Sequence, residues 1–369
     1  MDECEQNVPS AMDGYDRMVE DYHASIARKI LVLSTSIVVL IVLIILSCAW
    51  GTDNSFGTAY KAIIDHIMGK TYPIRSWEWW QDHYIWQNVM PSIVVSIIAG
   101  AGLAVGGMVM QAITHNPLAD PYTTGISSGA CLGAVIAILI GFTFASTAGE
   151  YGILSNAFIF SLIPALLVVT ISRRVGNSPS TIILIGIAVS YFFGGMITFL
   201  MMMSDPIKMY EAYRWQIGSV TGIKWGDIPF MATAVIITSI ITYSMTSKLD
   251  LMMLGDDSAK SLGLNAEQFR TVCLVMLSVL IASIISYTGI IGFVGLMVPH
   301  IARFLVGGKS FFVLPTSMVI GSAVLVFANM VSHTITFYTE VPVGIVMSFI
   351  GAPFFLYLIL RKKSQRQIF

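Results

Sequence analysis

The chain has 369 residues, of which 56% are apolar and only 11% are Asp, Glu, Lys or Arg. A soluble globular domain carries about twice that charged fraction, and the mean hydropathy here is +0.78. The composition excludes a soluble enzyme, a disordered chain and a coiled coil, and a net charge of −1 gives no basic field for nucleic acid. We interpret the sequence as that of a polytopic membrane protein.

Uncharged apolar segments recur along the chain, and a helix needs about 20 such residues to cross a bilayer. These segments run over Ile30–Trp50, Ile85–Ile113, Tyr122–Phe144, Ile153–Ile171, Thr181–Met203, Ile228–Thr246, Thr271–Ala302, Phe311–Phe337 and Val341–Leu360. The seventh is too long for one span, and its glycines and Pro299 predict two helices joined by an outer turn near residues 288–295. The sequence therefore predicts an all-α protein with ten transmembrane helices. The segments lack the period-two alternation of a barrel wall.

The distribution of Lys and Arg predicts the orientation, because these residues concentrate on the cytoplasmic side. Both termini are then cytoplasmic, with residues 1–27 as an extension and 363–369 as a tail. Residues 28–362 form the membrane domain. This domain includes an outer insert at 51–84 and a polar cytoplasmic segment at 254–266. The N-terminal extension has apolar residues on one helical face. This pattern predicts an amphipathic helix that rests on the membrane or on a neighbouring element.

Five aromatic residues stand close together before the second predicted span: Trp77, Trp79, Trp80, Tyr84 and Trp86. Such a cluster is typical of an aromatic belt at a membrane surface. The alternative is that these rings pack against one another within an outer loop.

The predicted span cores contain no Asp, Glu, Lys or Arg, whereas ion-driven carriers and pumps usually keep such residues within the membrane. The chain also lacks the usual catalytic patterns and the phosphate-binding loop of ATPases. We therefore predict no catalytic residue, no metal site and no cofactor on this chain. If it transports a substrate, the energy must come from a separate ATPase docked on a cytoplasmic surface.

The segment between the sixth and seventh predicted spans has the residues of a short capped helix. Asp256 and Asp257 suit its cap and first turn, Gly263 suits the position after its end, and a second helix start follows at Asn265. An isolated helix of about two turns is marginal in water, so we expect it to rest on another protein. An ordinary capped loop is the alternative reading of this segment alone.

Further segments carry Pro and Gly where helices end or approach closely. NPLADP (116–121) breaks the helix after the second span. Gly125, Gly129 and Gly133 then recur at four-residue spacing, which is typical of a face for close helix contact, and Gly102 and Gly106 repeat the pattern one span earlier.

Four segments, in this order, closely resemble the FecCD permease family. They are NPLADPYTTGISSGA (116–130), LGDDSAKSLGLN (254–265), GFVGLMVPHIARFLVG (292–307) and VPVGIVMSFIGAPFFLYL (341–358), and the resemblance covers about residues 85–362. Members are membrane subunits of type II ABC importers. The resemblance implies the ten-helix type II permease fold and a homodimer with a translocation path at its interface. It also implies two ATP-binding subunits, which carry ATP and Mg, and an extracytoplasmic substrate-binding protein.

The resemblance also implies roles for individual residues. The coupling helix, which contacts the ATPase, includes Asp256, Asp257, Ser258, Ala259, Leu262, Gly263 and Leu264. Cytoplasmic gate positions are His115, Asn116, Leu118, Asn177, Ser178 and Pro179. Met196, Leu200 and Met203 line the translocation path on the fifth span. The stretch before the second span lacks the basic residue common in the family, so Lys70, Arg75 and Arg214 become the candidates for docking the binding protein.

The function implied is import of a metal chelate across a prokaryotic cytoplasmic membrane, with a ferric siderophore first and cobalamin or haem next. Molybdate or another small oxyanion is an alternative cargo for the same architecture. An ion-coupled secondary transporter is a remote alternative, since it requires a charged ligand within the membrane.

Overall fold

The computed structural model describes residues 11–50, 56–145, 150–334 and 341–366. In these ranges the chain forms helices and no β-strand. The helices are α1 (Ala11–Ala49), α2 (Phe56–Ile67), α3 (Trp77–Tyr84), α4 (Met90–Ile113), α5 (Ile126–Ile140), α6 (Glu150–Val175), α7 (Pro179–Met202), α8 (Pro206–Gln216), α9 (Ile228–Ser244), α10 (Thr246–Met253), α11 (Asp256–Ser261), α12 (Ala266–Thr288), α13 (Val294–Val306), α14 (Ser310–Ser332) and α15 (Val343–Arg366). A π-helical turn, Ile85–Val89, joins α3 to α4. A 3-10 turn, Pro121–Thr124, precedes α5.

Parts of the predicted segments lie outside the described residues. These parts are residues 1–10 of the N-terminal extension, 51–55 of the outer insert, 335–337 of the ninth predicted span and 367–369 of the tail.

Six helices of the described chain are long and apolar enough to cross a membrane. A seventh span results if α9 and α10, which meet at an angle of 65°, are taken together. Two further apolar helices, Ile126–Ile140 and Val294–Val306, are shorter, and the apolar part of α15 described here covers Val343–Tyr357. The mostly helical fold agrees with the sequence, but ten full spans remain a prediction because α5 and α13 are shorter than a usual bilayer crossing.

The break predicted near residues 288–295, within the seventh apolar segment, is present in the structure. α12 ends at Thr288 and α13 begins at Val294. Between them Gly289 has a φ of +65°. Glycine is the residue that best tolerates such a backbone conformation, and for this reason the glycines of this segment predict the break well.

The first helix continues without a break through the junction of extension and membrane domain. α1 has 39 residues, and at 1.5 Å per residue it is about 58 Å long, compared with about 30 Å of hydrocarbon. The boundary at residue 27 is therefore a change of composition within one helix. α1 packs mainly against α14.

α4 is the most enclosed of the long helices. In the most apolar part of the continuous helix Trp77–Ile113, which includes α4, 83% of the residues are buried, compared with 6% in the corresponding part of α1. A Cβ atom on Gly107 would lie 1.7 Å from the carbonyl oxygen of Gly295, and one on Gly100 would lie 2.3 Å from that of Gly321. No side chain fits at these distances, so α4 contacts α13 and α14 backbone to backbone.

The predicted glycine face of α5 is confirmed for two of its three residues. A Cβ atom on Gly129 would lie 2.5 Å from the carbonyl oxygen of Phe160, and one on Gly133 would lie 2.4 Å from that of Asn156, both on α6. Gly125 instead has a φ of +86° and ends the 3-10 turn before α5.

α2 and α3 form a helical hairpin, called here the outer hairpin (Phe56–Tyr84). The side of α2 that carries Ala59 and Ile63 packs against the end of α1 and the π-helical turn. Of the five clustered aromatic residues, Trp79 stacks on His83, and Trp86 stacks on His66 at 4.2 Å between ring centres. For these two tryptophans the rings do pack within the outer segment, and the aromatic belt stays a prediction.

Candidate cytoplasmic coupling site

The predicted short helix between the sixth and seventh spans is present as α11 (Asp256–Ser261). Gly263 ends it with a φ of +86°, and the N–H of Leu264 donates to the carbonyl oxygen of Ala259 at 2.9 Å. The side chain of Asn265 then caps α12 by accepting a hydrogen bond from a backbone N–H at 3.1 Å. The C-terminal end of α11 and the start of α12 are thus closed by the residue types that the sequence predicts. The predicted cap at the start of α11 is wrong, because Gly255 occupies that position without a side-chain hydrogen bond and the Asp256 carboxylate accepts from Arg270 instead.

Arg270, near the start of α12, is completely buried, and its guanidinium group joins three separate segments. Its Nε donates to the carbonyl oxygen of Ile113, at the end of α4, at 2.8 Å. Nη1 donates to the carbonyl oxygen of Asn177 at 2.5 Å, and Nη2 donates to Oδ1 of Asp256 at 2.5 Å. A buried guanidinium is stable only when its donors are satisfied and its charge is compensated. Here Asp256 supplies the compensating charge and the backbone supplies the other acceptors.

His115 lies at the same junction, directly after α4. Its φ is +49°, a left-handed conformation that is uncommon for residues other than glycine. Its Nε2 lies 3.5 Å from Oδ1 of Asp256. Burial lowers the pKa of His115 and the nearby Asp256 carboxylate opposes this shift. The imidazole is therefore mainly neutral at pH 7.

Asn177 fixes the loop between α6 and α7 to α12. Its Nδ2 donates to the carbonyl oxygen of Glu267 at 2.9 Å and to Oγ1 of Thr271 at 3.2 Å. The next residue, Ser178, caps α7 by accepting from the N–H of Thr181 at 3.2 Å, and Pro179 occupies the first turn. The predicted gate residues after α6 therefore have a clear structural role at this loop.

The loop after α4 is organised by its own side chains. Oδ1 of Asn116 accepts from the N–H of Leu118 at 3.0 Å, and Oδ1 of Asp120 accepts from the N–H of Tyr122 at 2.9 Å. The hydroxyl of Tyr122 donates to the carbonyl oxygen of Ile291 at 3.0 Å, which ties the loop to the segment before α13. Leu118 is about half exposed.

A second buried polar contact joins the same end of α4 to α13. Nε2 of Gln111 donates to the carbonyl oxygens of Gly295 and Leu296, at 3.3 and 3.1 Å. Nη1 of Arg303 donates to Oε1 of Gln111. Both ends of the Gln111 amide are thus satisfied inside the bundle.

The three residues predicted for the translocation path lie on one side of α7 or just after it. Met196 and Met203 are exposed, whereas Leu200 is partly buried against α5 and α8. The exposed surface of α7 is apolar over most of its length, with Tyr191 and Phe199 also uncovered. Such a surface requires lipid or another protein to cover it.

An open cavity of about 610 Å³ lies at the opposite end of the bundle. It is bounded by the ends of α3, α5, α8 and α12, and its wall includes Tyr84, Tyr287, Trp215, Glu211 and Arg214. Of the three predicted docking residues, only Arg214 reaches this cavity. Lys70 and Arg75 lie on the outer hairpin, where Lys70 pairs with Asp65 at 3.1 Å and Arg75 is exposed.

The structure thus brings His115, Asn177 and Asp256 to one junction, and leaves Asn116 and Leu118 in the adjoining loop. Arg270 and Gln111 were missed because neither belongs to a recognisable motif. For Arg270 the available signal was a cation five residues after the cap of a helix that carries no further charge.

Comparison with known proteins gives consistent matches. Residues 39–361 match the FecCD transport family. The chain is 35% identical over 340 residues to the Fe(3+)-citrate import system permease protein YfmE of Bacillus subtilis, covering 92% of this chain and 97% of that protein. It is 33% identical over 284 residues to the hemin transport system permease protein HmuU of Yersinia pestis, covering 77% and 85%.

Among solved structures, the chain resembles a metal-chelate type ABC transporter in an inward-facing conformation. The TM-score is 0.77 at 28% sequence identity, and the match covers 89% of this chain and 98% of the other.

Proposed function

Because the chain belongs to the FecCD transport family, the permeases of type II ABC importers, we propose that it is the membrane-spanning subunit of an ATP-driven importer of a metal chelate. A ferric siderophore is the first candidate cargo, and cobalamin or haem is the next. The relatives named for Fe(3+)-citrate and hemin support this substrate class. The permease works as a homodimer in a prokaryotic cytoplasmic membrane, with both termini inside.

The observation that carries the proposal is the buried Arg270. It links α11, the proposed coupling helix, to the end of α4 and to the loop before α7 through hydrogen bonds of 2.5 to 2.8 Å. A displacement of α11 is therefore passed directly to the two loops that carry the proposed gate residues. No flexible linker intervenes.

The mechanism is alternating access driven by a pair of ATP-binding subunits that hold ATP and Mg. ATP binding closes the ATPase pair, which moves the coupling helices of the two permeases together. That motion shifts the loops at Asn116 and Asn177 and changes which side of the path is open. Such a switch requires two arrangements of the helices that differ by only a few kcal/mol.

The surface of α7 that carries Met196, Leu200 and Met203 is proposed to line the path between two copies. This apolar surface suits the passage of a large chelate, because it offers no strong ligand that would retain the chelate. The outer cavity near Arg214 is proposed to receive cargo from the substrate-binding protein, so substrate selection rests mainly with that protein.

The test is uptake into proteoliposomes that contain the complete importer. Asp256→Asn preserves the shape of the side chain but removes the charge that compensates Arg270. We expect ATP hydrolysis to continue while uptake of a ferric siderophore falls at least tenfold, because α11 no longer moves with the gate loops.

Glu267→Gln is the matched control, since Glu267 is an exposed carboxylate one turn from the junction. It should leave uptake and hydrolysis within twofold of the wild type. Full uptake by a folded Asp256→Asn variant would contradict the coupling role. Uptake driven by an ion gradient without ATP would instead support the secondary transporter.

Cargo is resolved by competition in the same vesicles. Ferric siderophore, cobalamin, haem and molybdate are supplied in turn with the candidate binding protein. A metal chelate should stimulate ATP hydrolysis, and stimulation by molybdate alone would favour the oxyanion alternative.

A further inference from the structure

A groove between α9 and α14 opens to the outside of the subunit and has no part in the proposed function. Both helices pack against α4, and the groove is the space left between them, with a volume of about 240 Å³. It is lined by Ser239, Ile240 and Tyr243 of α9 and by Leu314, Pro315 and Met318 of α14. Pockets for drug-sized ligands usually measure about 300–1,000 Å³, so the groove suits a single narrow chain.

The groove lies within the apolar, membrane-spanning part of both helices. Ser239 is five residues, about 8 Å, from the end of α9, and Pro315 is equally far from the start of α14. Nearer to these ends the rings of Tyr243 and Phe311 lie 5.2 Å apart and bridge the two helices. Lipid is therefore what stands in front of the groove, at the depth where acyl chains begin beneath their headgroups.

The hydroxyl of Ser239 has no hydrogen-bond partner in the part of the chain that the structure describes, although this side chain is only 8% exposed. Hydroxyls in apolar helices usually bond to a carbonyl oxygen one turn back. Thr233 and Ser244 on the same helix do so, each at 2.7 Å. Because an unpaired hydroxyl in lipid costs free energy, we expect an acceptor in the groove. An ester oxygen of a phospholipid is such an acceptor, at the top of its acyl chain.

Three lysines stand near the end of the groove that faces the membrane surface. Lys309 directly precedes α14 and Lys248 lies in the first turn of α10, and both are exposed. Nζ of Lys29 on α1 lies 5.1 Å from the centre of the Phe312 ring, in the first turn of α14. Among the described residues, none of these lysines pairs with a carboxylate.

The acidic groups at this end of the helices do not cancel that charge. Asp250 is already engaged, since it accepts from the N–H of Ser310 at 2.9 Å and interacts with the Arg303 guanidinium. On α1 the nearest carboxylate in the chain is Asp21, eight residues or about 12 Å from Lys29. The surface end of the groove therefore carries a net positive charge, which favours a phosphate.

We propose that the groove between α9 and α14 binds one acyl chain of an anionic phospholipid. The ester oxygen accepts from Oγ of Ser239, the chain lies between Ile240 and Met318, and the phosphate lies close to Lys309 and Lys248. In the proposed orientation this lipid belongs to the cytoplasmic leaflet, where anionic lipids are abundant. The site does not depend on which cargo the protein imports.

The experiment measures lipid retention by the full-length permease, using native mass spectrometry after titration with phosphatidylglycerol or phosphatidylcholine of the same acyl chains. The wild type should retain one phosphatidylglycerol at least fivefold more tightly than phosphatidylcholine. Ser239→Phe fills the groove and should weaken this retention at least tenfold. Thr233→Phe is the matched control, because it places the same ring on an exposed position of α9 outside the groove, and its effect should be below twofold.

Lys309→Gln tests the headgroup contact and leaves the groove intact, because Lys309 is exposed. The preference for phosphatidylglycerol should fall about fivefold, which is the contribution of one cation near an anionic membrane surface. Lys61→Gln, at an exposed position on α2, should leave the preference unchanged. Equal retention of the two lipids by the wild type would overturn the proposal, as would normal retention in a folded Ser239→Phe variant.

A photoreactive residue, p-benzoyl-phenylalanine, at position 240 identifies the occupant directly, because Ile240 lines the groove and is 65% exposed. In nanodiscs that contain phosphatidylglycerol, a cross-link to lipid supports the proposal. A cross-link to a second permease copy or to another subunit contradicts it. None of these measurements needs uptake or ATP hydrolysis, so a failure of the proposed function would be a separate result.

Discussion

Among single residues, Arg270 and His115 define the environment around Asp256 at the C-terminal end of α4. Arg270 supplies a permanent positive charge with no exposure to water, whereas His115 is held neutral by burial. The Asp256 carboxylate is consequently paired with one full charge and touched by a group that can acquire another. Sequence reasoning found Asp256 through the segment at 254–265 and His115 through the family resemblance. It did not find Arg270, because the burial of this cation depends on two backbone carbonyl groups and one carboxylate from other segments of the chain.

The lowered pKa of His115 predicts a dependence of stability on pH. The unfolded chain binds a proton near pH 6.5, whereas the folded chain binds it only at lower pH, so the free energy of unfolding should fall as the pH drops below about 6.5. The variant His115→Asn, whose side chain also tolerates positive φ, should lose less stability than the wild type between pH 8 and pH 5.5. The unfolding temperatures of both proteins in detergent at these two pH values measure the difference. Equal losses in the variant and the wild type would contradict the assignment.

At the scale of elements, close contact between helix backbones organises the bundle around α4. The four-residue glycine spacing on α5 predicted one such contact correctly. The contacts of Gly107 with Gly295 and of Gly100 with Gly321 could not be paired from sequence, because a glycine face does not specify which helix it meets. The short helix α11 was predictable, because a glycine with positive φ ends it and the Asn265 cap of α12 follows directly. The continuity of α1 was not, since a charged stretch followed by an apolar one is compatible with either one helix or two.

Replacement of Gly107 by Ala tests this arrangement. The added methyl group would collide with the backbone of Gly295, so we expect destabilisation of about 1–3 kcal/mol or more. At Gly195, on the exposed side of α7, a Cβ atom meets open space within the subunit, and Gly195→Ala should be neutral or stabilising by up to about 1 kcal/mol. Unfolding of the purified subunit in detergent compares the two, and equal effects would argue against close contact at Gly107.

On the scale of the whole molecule, the two ends of the bundle differ in the surfaces that they expose. One end presents α11 with the exposed Leu254 and Leu262 beside it, and the other end presents the outer hairpin and a cavity. The family resemblance predicted the surface at α11 from the position of this segment in the sequence. It could not predict the second, because the outer insert is longer than is usual in that family and its fold depends on tertiary contacts such as that between His66 and Asp82.

Leu262→Asp places a buried charge in the proposed contact with the ATP-binding subunit. Uptake should be lost while the unfolding temperature of the permease stays the same, because Leu262 is 60% exposed in the isolated subunit. Leu262→Met conserves size and apolarity and should retain uptake. Normal uptake by the Asp variant would place the contact elsewhere.

The 65° angle between α9 and α10 forms an elbow at the end of the bundle that carries α11. α10 has eight residues and is therefore an arm of about 12 Å, so that each 10° of rotation at the elbow displaces its far end by about 2 Å. Oδ1 of Asp250 on this arm accepts a hydrogen bond from the N–H of Ser310 at 2.9 Å, which attaches the arm to the first turn of α14. A rotation at this elbow would therefore act directly on the first turn of a helix of 23 residues.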